Sequence, residues 1–180
     1  PNMVLGRSNI FFLKNCEKIF CYSKKIKNFP NRFMDKISII PNLLRKEFYN
    51  IKNTKVIDKE INLLIVGGSQ GAKSFNKIIQ KPIIDLSKKY KIKVYQQTNQ
   101  NNFQNLNSFY QANKIDSELF DFTENISIFM NKVNICLTRA GASTLAELIF
   151  LNIPHLVIPL PSSKDNHQFE NALFYNQHGC

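Results

Sequence analysis

From residue 61 onward, short apolar runs alternate with stretches whose apolar residues recur every three or four positions. Leu63-Leu64-Ile65-Val66 is an apolar run ending at Gly67-Gly68, the pattern of a buried strand entering a loop. The spacing of Phe75, Ile78, Ile79 and Ile83 predicts a helix from about Ala72 to Lys89, which Pro82 kinks or splits. Ile92-Lys93-Val94-Tyr95 reads as the next strand. Phe103, Leu106 and Tyr110 then stand at helical spacing in or just past an Asn/Gln-rich stretch. Strands follow at Leu119-Phe120-Asp121-Phe122, Val133 to Leu137 and His155-Leu156-Val157-Ile158. Helices are expected at Ile126 to Asn131, Thr144 to Phe150 and Asp165 to Gln177.

This alternation is the signature of an α/β fold: a parallel sheet with helices on both faces. Such sheets take ligands beyond the carboxyl ends of their strands. The loops after Val66, Phe122, Leu137 and Ile158 are therefore where chemistry is expected. The first 60 residues lack the rhythm. Lys18 to Tyr22 and Lys36 to Ile40 read as strands, and a boundary falls around Pro41-Asn42. Residues 1–41 read as the tail of a preceding domain, and 42–180 as a second domain.

Composition narrows the reading. Apolar residues make up 43% of the 180, enough for a packed core. No apolar run is long enough for a membrane-spanning helix, and Pro1 to Ile10 lack the pattern of a signal peptide. The chain does not begin with Met, and it is expected to be a fragment. Its net charge of +11 fits either a surface for phosphorylated or anionic partners, or an AT-rich genome's lysines spread over solvated faces. The longest basic cluster, Lys24-Lys25-Ile26-Lys27, is too short for a nucleic-acid arm, so no nucleic-acid partner is expected. Cys16, Cys21, Cys136 and Cys180 match no zinc or redox spacing. A reducing cytoplasm is the simplest setting.

Three segments could carry chemistry. Gly67-Gly68-Ser69-Gln70-Gly71-Ala72 follows a strand and opens a helix, where glycines and unpaired N–H groups suit a phosphate. A tight turn without a ligand fits equally well, and the spacing is neither a dinucleotide fingerprint nor a Walker loop. Arg139-Ala140-Gly141-Ala142-Ser143-Thr144-Leu145-Ala146-Glu147 repeats the arrangement after a later strand. Ser143 or Thr144 can cap that helix. Glu147, one turn in, either grips a vicinal diol such as a ribose or complements the helix dipole. In the third segment, Ser162 to Ala172, Asp165 suits an N-cap, and Gln168 and Asn171 share a helical face fit for sugar hydroxyls. His167 reads as structural.

Taken together, GGSQGA at Gly67 to Ala72, RAGASTLAEL at Arg139 to Leu148 and DNHQFENA at Asp165 to Ala172 resemble the MurG family, UDP-N-acetylglucosamine transferases of peptidoglycan synthesis. Asn2 to Asn9 is similar to the segment after that family's His-Glu pair, and Pro41 to Arg45 to its Gly-Asn-Pro-Val-Arg. The resemblance implies one half of a GT-B glycosyltransferase, with a Rossmann-like, C-terminal UDP-sugar-binding domain truncated at its end. It implies that the Gly68-Ser69-Gln70 loop meets the donor diphosphate, with Arg45 near the same charge. Thr123 would mark the uracil-reading position, where backbone does the pairing. The stretch Arg139, Ala142, Ser143, Thr144, Leu145 and Ala146 would line diphosphate and sugar. Glu147 would hold ribose, Gln168 the sugar hydroxyls with Asn171 close by, and Asn2 would reach the donor from the other domain. Pro41 and Leu43 replace the family's Gly and Pro, and Thr123 replaces a branched apolar residue.

The implied reaction of the full-length enzyme is inverting transfer to undecaprenyl-diphosphate-muramoyl-pentapeptide, at the cytoplasmic face of the bacterial plasma membrane. The protein would be peripheral there, touching the anionic membrane surface. The family's glycine-rich N-terminal loop with its proposed base is absent from this chain. No catalytic residue is therefore expected here, no cofactor is implied, no Asp-rich motif stands at the strand end to hold a metal, and the chain alone should bind UDP-N-acetylglucosamine or UDP weakly and turn over nothing. Rival readings are an epimerase or a two-chain N-acetylglucosaminyltransferase subunit of the same architecture, and a basic RNA- or lipid-binding module.

Overall fold

The apolar run around Leu63 to Val66 is the central strand of a five-stranded parallel sheet. The computed structural model describes residues 2–51, 60–67, 75–76 and 78–179. These divide into two compact units: residues 1–45, 140–147 and 159–180 in one, and 46–139 and 148–158 in the other.

The larger sheet belongs wholly to the second unit. Its strands are β3 (Glu60–Val66), β4 (Lys91–Gln97), β5 (Asp116–Phe120), β6 (Ile135–Thr138) and β7 (His155–Val157), in the order β5-β4-β3-β6-β7. The chain steps outward from β3 through β4 to β5, then returns to the other side of β3 for β6 and β7. Right-handed crossovers in opposite directions put helices on both faces, as the alternation implied. At the reversal, Val66 stands against Thr138, and Arg139 N–H donates to the Val66 carbonyl at 3.3 Å.

Pro82 acts as expected. It has no N–H to offer the Ile78 carbonyl, and the helical run breaks at Ile79 before α2 (Gln80–Ser87). The Ile79 N–H to Phe75 carbonyl bond (3.1 Å) and the Ile83 N–H to Ile79 carbonyl bond (3.0 Å) flank the break. Residues 72–74, the expected start of this helix, lie outside the described residues. α3 (Gln100–Ala112) starts where Asn99 caps it, its side chain accepting from Asn102 N–H at 3.2 Å. α4 spans Ile126–Met130, and its Phe129 stacks on Phe120 of β5 with centroids 3.9 Å apart.

The fifth strand differs from its expected place at Leu119 to Phe122. Pairing with β4 runs from Lys93↔Asp116 to Gln97↔Phe120, and Phe122 lies beyond it, 74% exposed. Register against β4 decided the span, whereas the apolar Phe120 and Phe122 had suggested otherwise.

The core of this unit gathers Leu63, Ile65, Phe75, Ile79, Ile83, Ile92, Val94, Leu106, Tyr110 and Ile115. A polar chain crosses it. Tyr110 Oη donates to Gln96 Oε1 at 2.5 Å, and Gln96 Nε2 donates to Asn76 Oδ1 at 2.8 Å. Gln96 and Tyr110 are both fully buried, and burial raises the Tyr110 pKa above its ordinary value. Gln96 continues the core-facing series of Ile92 and Val94, so its amide needs internal partners. Tyr110→Phe is expected to cost about 1–3 kcal/mol by leaving the Gln96 carbonyl unmet. Urea denaturation checks it, and an unchanged midpoint would show the hydroxyl to be idle.

The first unit is built on β1 (Ile19–Cys21) and β2 (Ile37–Ile39), paired in parallel with Ile19 beside Ile37. A helix the hydropathy pattern did not announce, α1 (Arg7–Phe12), precedes them. Lys36 Nζ donates to the carbonyls of Leu13, Lys14 and Cys16 just past its end. The core here is Leu5, Leu13, Cys21, Phe29 and Ile37. Among the described residues no helix is long and apolar enough to cross a membrane.

Candidate functional site

The expected cap of the helix after β6 is corrected by its start. α5 spans Ala142–Phe150, and Leu145 N–H donates to the Gly141 carbonyl at 3.0 Å. Ser143 and Thr144 thus sit inside the first turn, and neither precedes it as a cap would. The amides of Ala142, Ser143 and Thr144 come before the first intrahelical bond and so lack helical acceptors. Ala142 and Thr144 are half-buried and Ser143 is exposed, so this turn is open to a ligand. Leu145 and Ala146 are core, 0% and 2% exposed.

Glu147 lies beyond the first turn of α5, which contains no acidic residue. That removes the dipole-complement reading, since the effect decays within one turn. The side chain is only 6% exposed and meets Arg45, with Arg45 Nε and Nη2 each 3.0 Å from Glu147 Oε1. Arg45 is 41% exposed, so its guanidinium also reaches solvent. The loop carrying it, altered at Pro41 and Leu43, is held by Leu43 N–H donating to Tyr22 Oη at 3.1 Å. A buried carboxylate fixed by a half-exposed guanidinium can accept hydroxyl hydrogen bonds beside a positive charge.

The last helix, α6 (His167–Gln177), also corrects its expected cap. A short 3-10 turn, Lys164–Asn166, precedes it. Asn166 occupies the N-cap position at φ 54°, with no side-chain cap bond. Asp165, at φ 53°, faces Arg7 at 3.5 Å. Short polar side chains tolerate this left-handed region, which lets two successive residues turn the chain sharply into the helix. Gln168 and Asn171 both point inward. Gln168 Oε1 accepts from Leu160 N–H at 2.8 Å, which leaves its amide nitrogen without a protein partner among the described residues. His167 Nδ1 lies 2.7 Å from the Lys164 carbonyl.

Asn171 is the hub of the first unit, 1% exposed. Its Oδ1 accepts from Met3 N–H at 2.8 Å, and its Nδ2 donates to Asn2 Oδ1 and the Ala140 carbonyl, both at 3.0 Å. One amide thus joins three separate parts of the sequence. Sequence spacing foresaw the shared face of Gln168 and Asn171 but not these partners, because the backbone groups of Met3 and Ala140 leave no residue-type signal.

Thr123 and Arg139 belong to the second unit. Thr123 Oγ1 accepts from Asn125 N–H at 3.1 Å, and its backbone N–H and carbonyl have no protein partner among the described residues. Arg139 is 6% exposed, with Nη1 donating to the Ile158 carbonyl at 2.9 Å and its guanidinium 4.3 Å from the Phe75 ring centroid. Burial lowers its pKa from the ordinary value. Its side chain is therefore part of the fold's interior. Gly68, Ser69 and Gln70 lie outside the described residues.

Residues 62–180 match the model of the glycosyltransferase family 28 C-terminal domain. The chain belongs to that family. It is 58% identical, over 99% of its length, to the UDP-N-acetylglucosamine--N-acetylmuramyl-(pentapeptide) pyrophosphoryl-undecaprenol N-acetylglucosamine transferase of Pelagibacter ubique, covering 50% of that protein. It is 37% identical over 95% of its length to the protein of that name in Rickettsia canadensis, again covering 50%. The crystal structure of Acinetobacter baumannii MurG superposes with a TM-score of 0.73 at 23% identity, over 99% of this chain and 49% of that one, and so supports the fold. The chain spans about half the length of the curated relatives it matches. The family match covers α5, its Glu147 and α6, while Asn2 and Arg45 lie before the matched residues.

Proposed function

We propose that this chain is the donor-binding part of a transferase that moves N-acetylglucosamine from UDP-N-acetylglucosamine to an undecaprenyl-diphosphate-linked muramoyl pentapeptide. The observation that carries it is the Glu147 carboxylate, buried on the second turn of a helix whose first-turn amides are open, and paired with Arg45. The relatives named for that transfer support the choice of substrates. In this reading residues 1–41 are the end of the acceptor-side domain and 42–180 the donor domain. The chain reaches the cytoplasmic membrane surface, peripherally, as part of a longer protein, and nucleic acid is not a partner.

The chemistry follows from the charges. The acceptor 4-hydroxyl gives its proton to a base that this chain does not supply and attacks the anomeric carbon, the bond to the diphosphate breaks with inversion, and UDP leaves carrying added negative charge. Amides at the start of α5, the Gly68-Ser69-Gln70 loop and Arg45 offset that charge. Glu147 accepts the ribose hydroxyls, and the unpaired Thr123 backbone pairs with uracil. The Gln168 amide nitrogen donates to the sugar, with Asn2 and Asn171 beside it. Arg139 braces the end of β7 from inside, through the Ile158 carbonyl.

Calorimetric titration with UDP tests this. Binding in the micromolar to millimolar range is expected, with no transfer by the chain alone. A folded sample that gives no heat at millimolar UDP would sink the reading.

A further inference from the structure

The donor reading leaves Arg7, Ser8, Asn9 and Lys164 without a role, although they stand in or beside the recognised segments. The structure gathers them. A cavity of about 320 Å³ within the first unit is lined by these residues together with Asn2, Asp165 and His167. That is near the lower bound of small-molecule sites, roughly 300–1,000 Å³. Asn2 lines the cavity and also accepts from Asn171, so the cavity borders the sugar end of the proposed donor site.

Its wall is rich in donors. Arg7 and Lys164 are cations, and the Ser8 hydroxyl and Asn9 amide have no protein partner among the described residues. His167 donates through Nδ1 to the Lys164 carbonyl, which leaves Nε2 as an acceptor in the neutral ring. The single carboxylate, Asp165, holds Arg7 only at 3.5 Å, and the Arg7 side chain is 76% exposed. A long, solvent-washed ion pair contributes little to stability and yields readily to a better anion. Guanidinium, ammonium, hydroxyl and amide donors around one space suit phosphoryl oxygens, while Asp165 and His167 Nε2 suit sugar hydroxyls.

We infer that this cavity binds a sugar diphosphate other than the donor, the reducing-end diphosphate of the acceptor sugar. The inference rests on the donor reading for its choice of ligand. Arg7 leaves Asp165 for the diphosphate, and Asp165 turns to a sugar hydroxyl.

The test uses the whole 180-residue chain saturated with UDP, followed by amide NMR shifts. The probes are N-acetylmuramoyl diphosphate carrying a short prenyl chain, and inorganic pyrophosphate. The sugar diphosphate is expected to shift the amides of residues 6–9 and 164–167 without displacing UDP. Arg7→Ala combined with Lys164→Ala should weaken it at least about ten-fold while UDP affinity holds, and Asp165→Asn should tighten inorganic pyrophosphate. Competition with UDP, wild-type affinity in the double variant, or weaker pyrophosphate binding by Asp165→Asn would each overturn the proposal. Pyrophosphate binding as tightly as the sugar diphosphate would overturn the acceptor assignment and leave a plain anion site. Repeating the titration without UDP separates the two ideas. A chain that binds no UDP while the cavity still takes the sugar diphosphate sinks the donor reading and leaves the cavity as a sugar-diphosphate site.

Discussion

Glu147→Ala is expected to weaken UDP binding by about ten- to a hundred-fold, and to leave 2′-deoxy-UDP binding far less changed. A hydrogen bond to a charged group contributes about 1.5–3 kcal/mol, and each 1.4 kcal/mol is roughly a factor of ten in affinity. The Glu147 carboxylate is already desolvated in the free chain, at 6% side-chain exposure, and Arg45 fixes its orientation. A ribose diol therefore meets an acceptor that needs little reordering, and the deoxy ligand forfeits part of that contact. Loss of fold is read separately, by urea denaturation of the same variant, because Glu147 is itself buried and its truncation also removes packing. Arg45→Met should act differently, weakening UDP more than uridine, because it removes a charge that serves the diphosphate as well as the carboxylate. Calorimetry of both variants with UDP, deoxy-UDP and uridine decides the matter. If Glu147→Ala lowers affinity for UDP and deoxy-UDP equally, Glu147 does not grip ribose.

The sheet was legible because its signal is local. A buried parallel strand is a run of apolar residues, and β3 and β4 could be placed from Leu63 to Val66 and Ile92 to Tyr95 alone. Both proved longer, since pairing extends through residues whose polarity hides them, such as Glu60 and Gln97. Helix starts were less legible. Asp165 and Ser143 are good caps by type, yet the chain turns into α6 through two left-handed residues and enters α5 behind Gly141. α1 escaped notice because Ile10, Phe11 and Phe12 form a consecutive apolar block with no helical period, and all three remain exposed. In the site, motif residues were visible but their partners were not. Arg45 and Glu147 are separated by 102 positions, and only the fold brings a guanidinium in one motif to a carboxylate in another.

Asn171 carries the second large expectation. A backbone N–H can only donate and a carbonyl can only accept, so Met3 and Ala140 dictate which end of the Asn171 amide faces which partner. Asn171→Leu keeps the branched shape, with somewhat larger methyl groups in place of the amide, and removes every bond. It leaves the Met3 N–H and Ala140 carbonyl buried without that partner, at about 1–3 kcal/mol each, so an overall loss of about 2–5 kcal/mol is expected. Asn171→Asp is the sharper test. One carboxylate oxygen still accepts from Met3, and Asn2 can turn its amide to donate, but the other oxygen confronts the Ala140 carbonyl, which can only accept, at a position only 1% exposed. The ionised form is disfavoured by burial and by that carbonyl, so the folded-state pKa of the new aspartate is raised above its unfolded value. The folded state then binds the proton more tightly, and the variant's stability falls as pH rises through that interval. The variant's deficit against the parent chain should therefore shrink when urea denaturation is repeated at progressively lower pH, because the protonated acid restores a donor toward Ala140. Asn171→Leu has nothing to titrate there and should keep its deficit at every pH. A parallel pH response in the two variants would show that the amide's donor is not what joins Ala140 to the start of the chain.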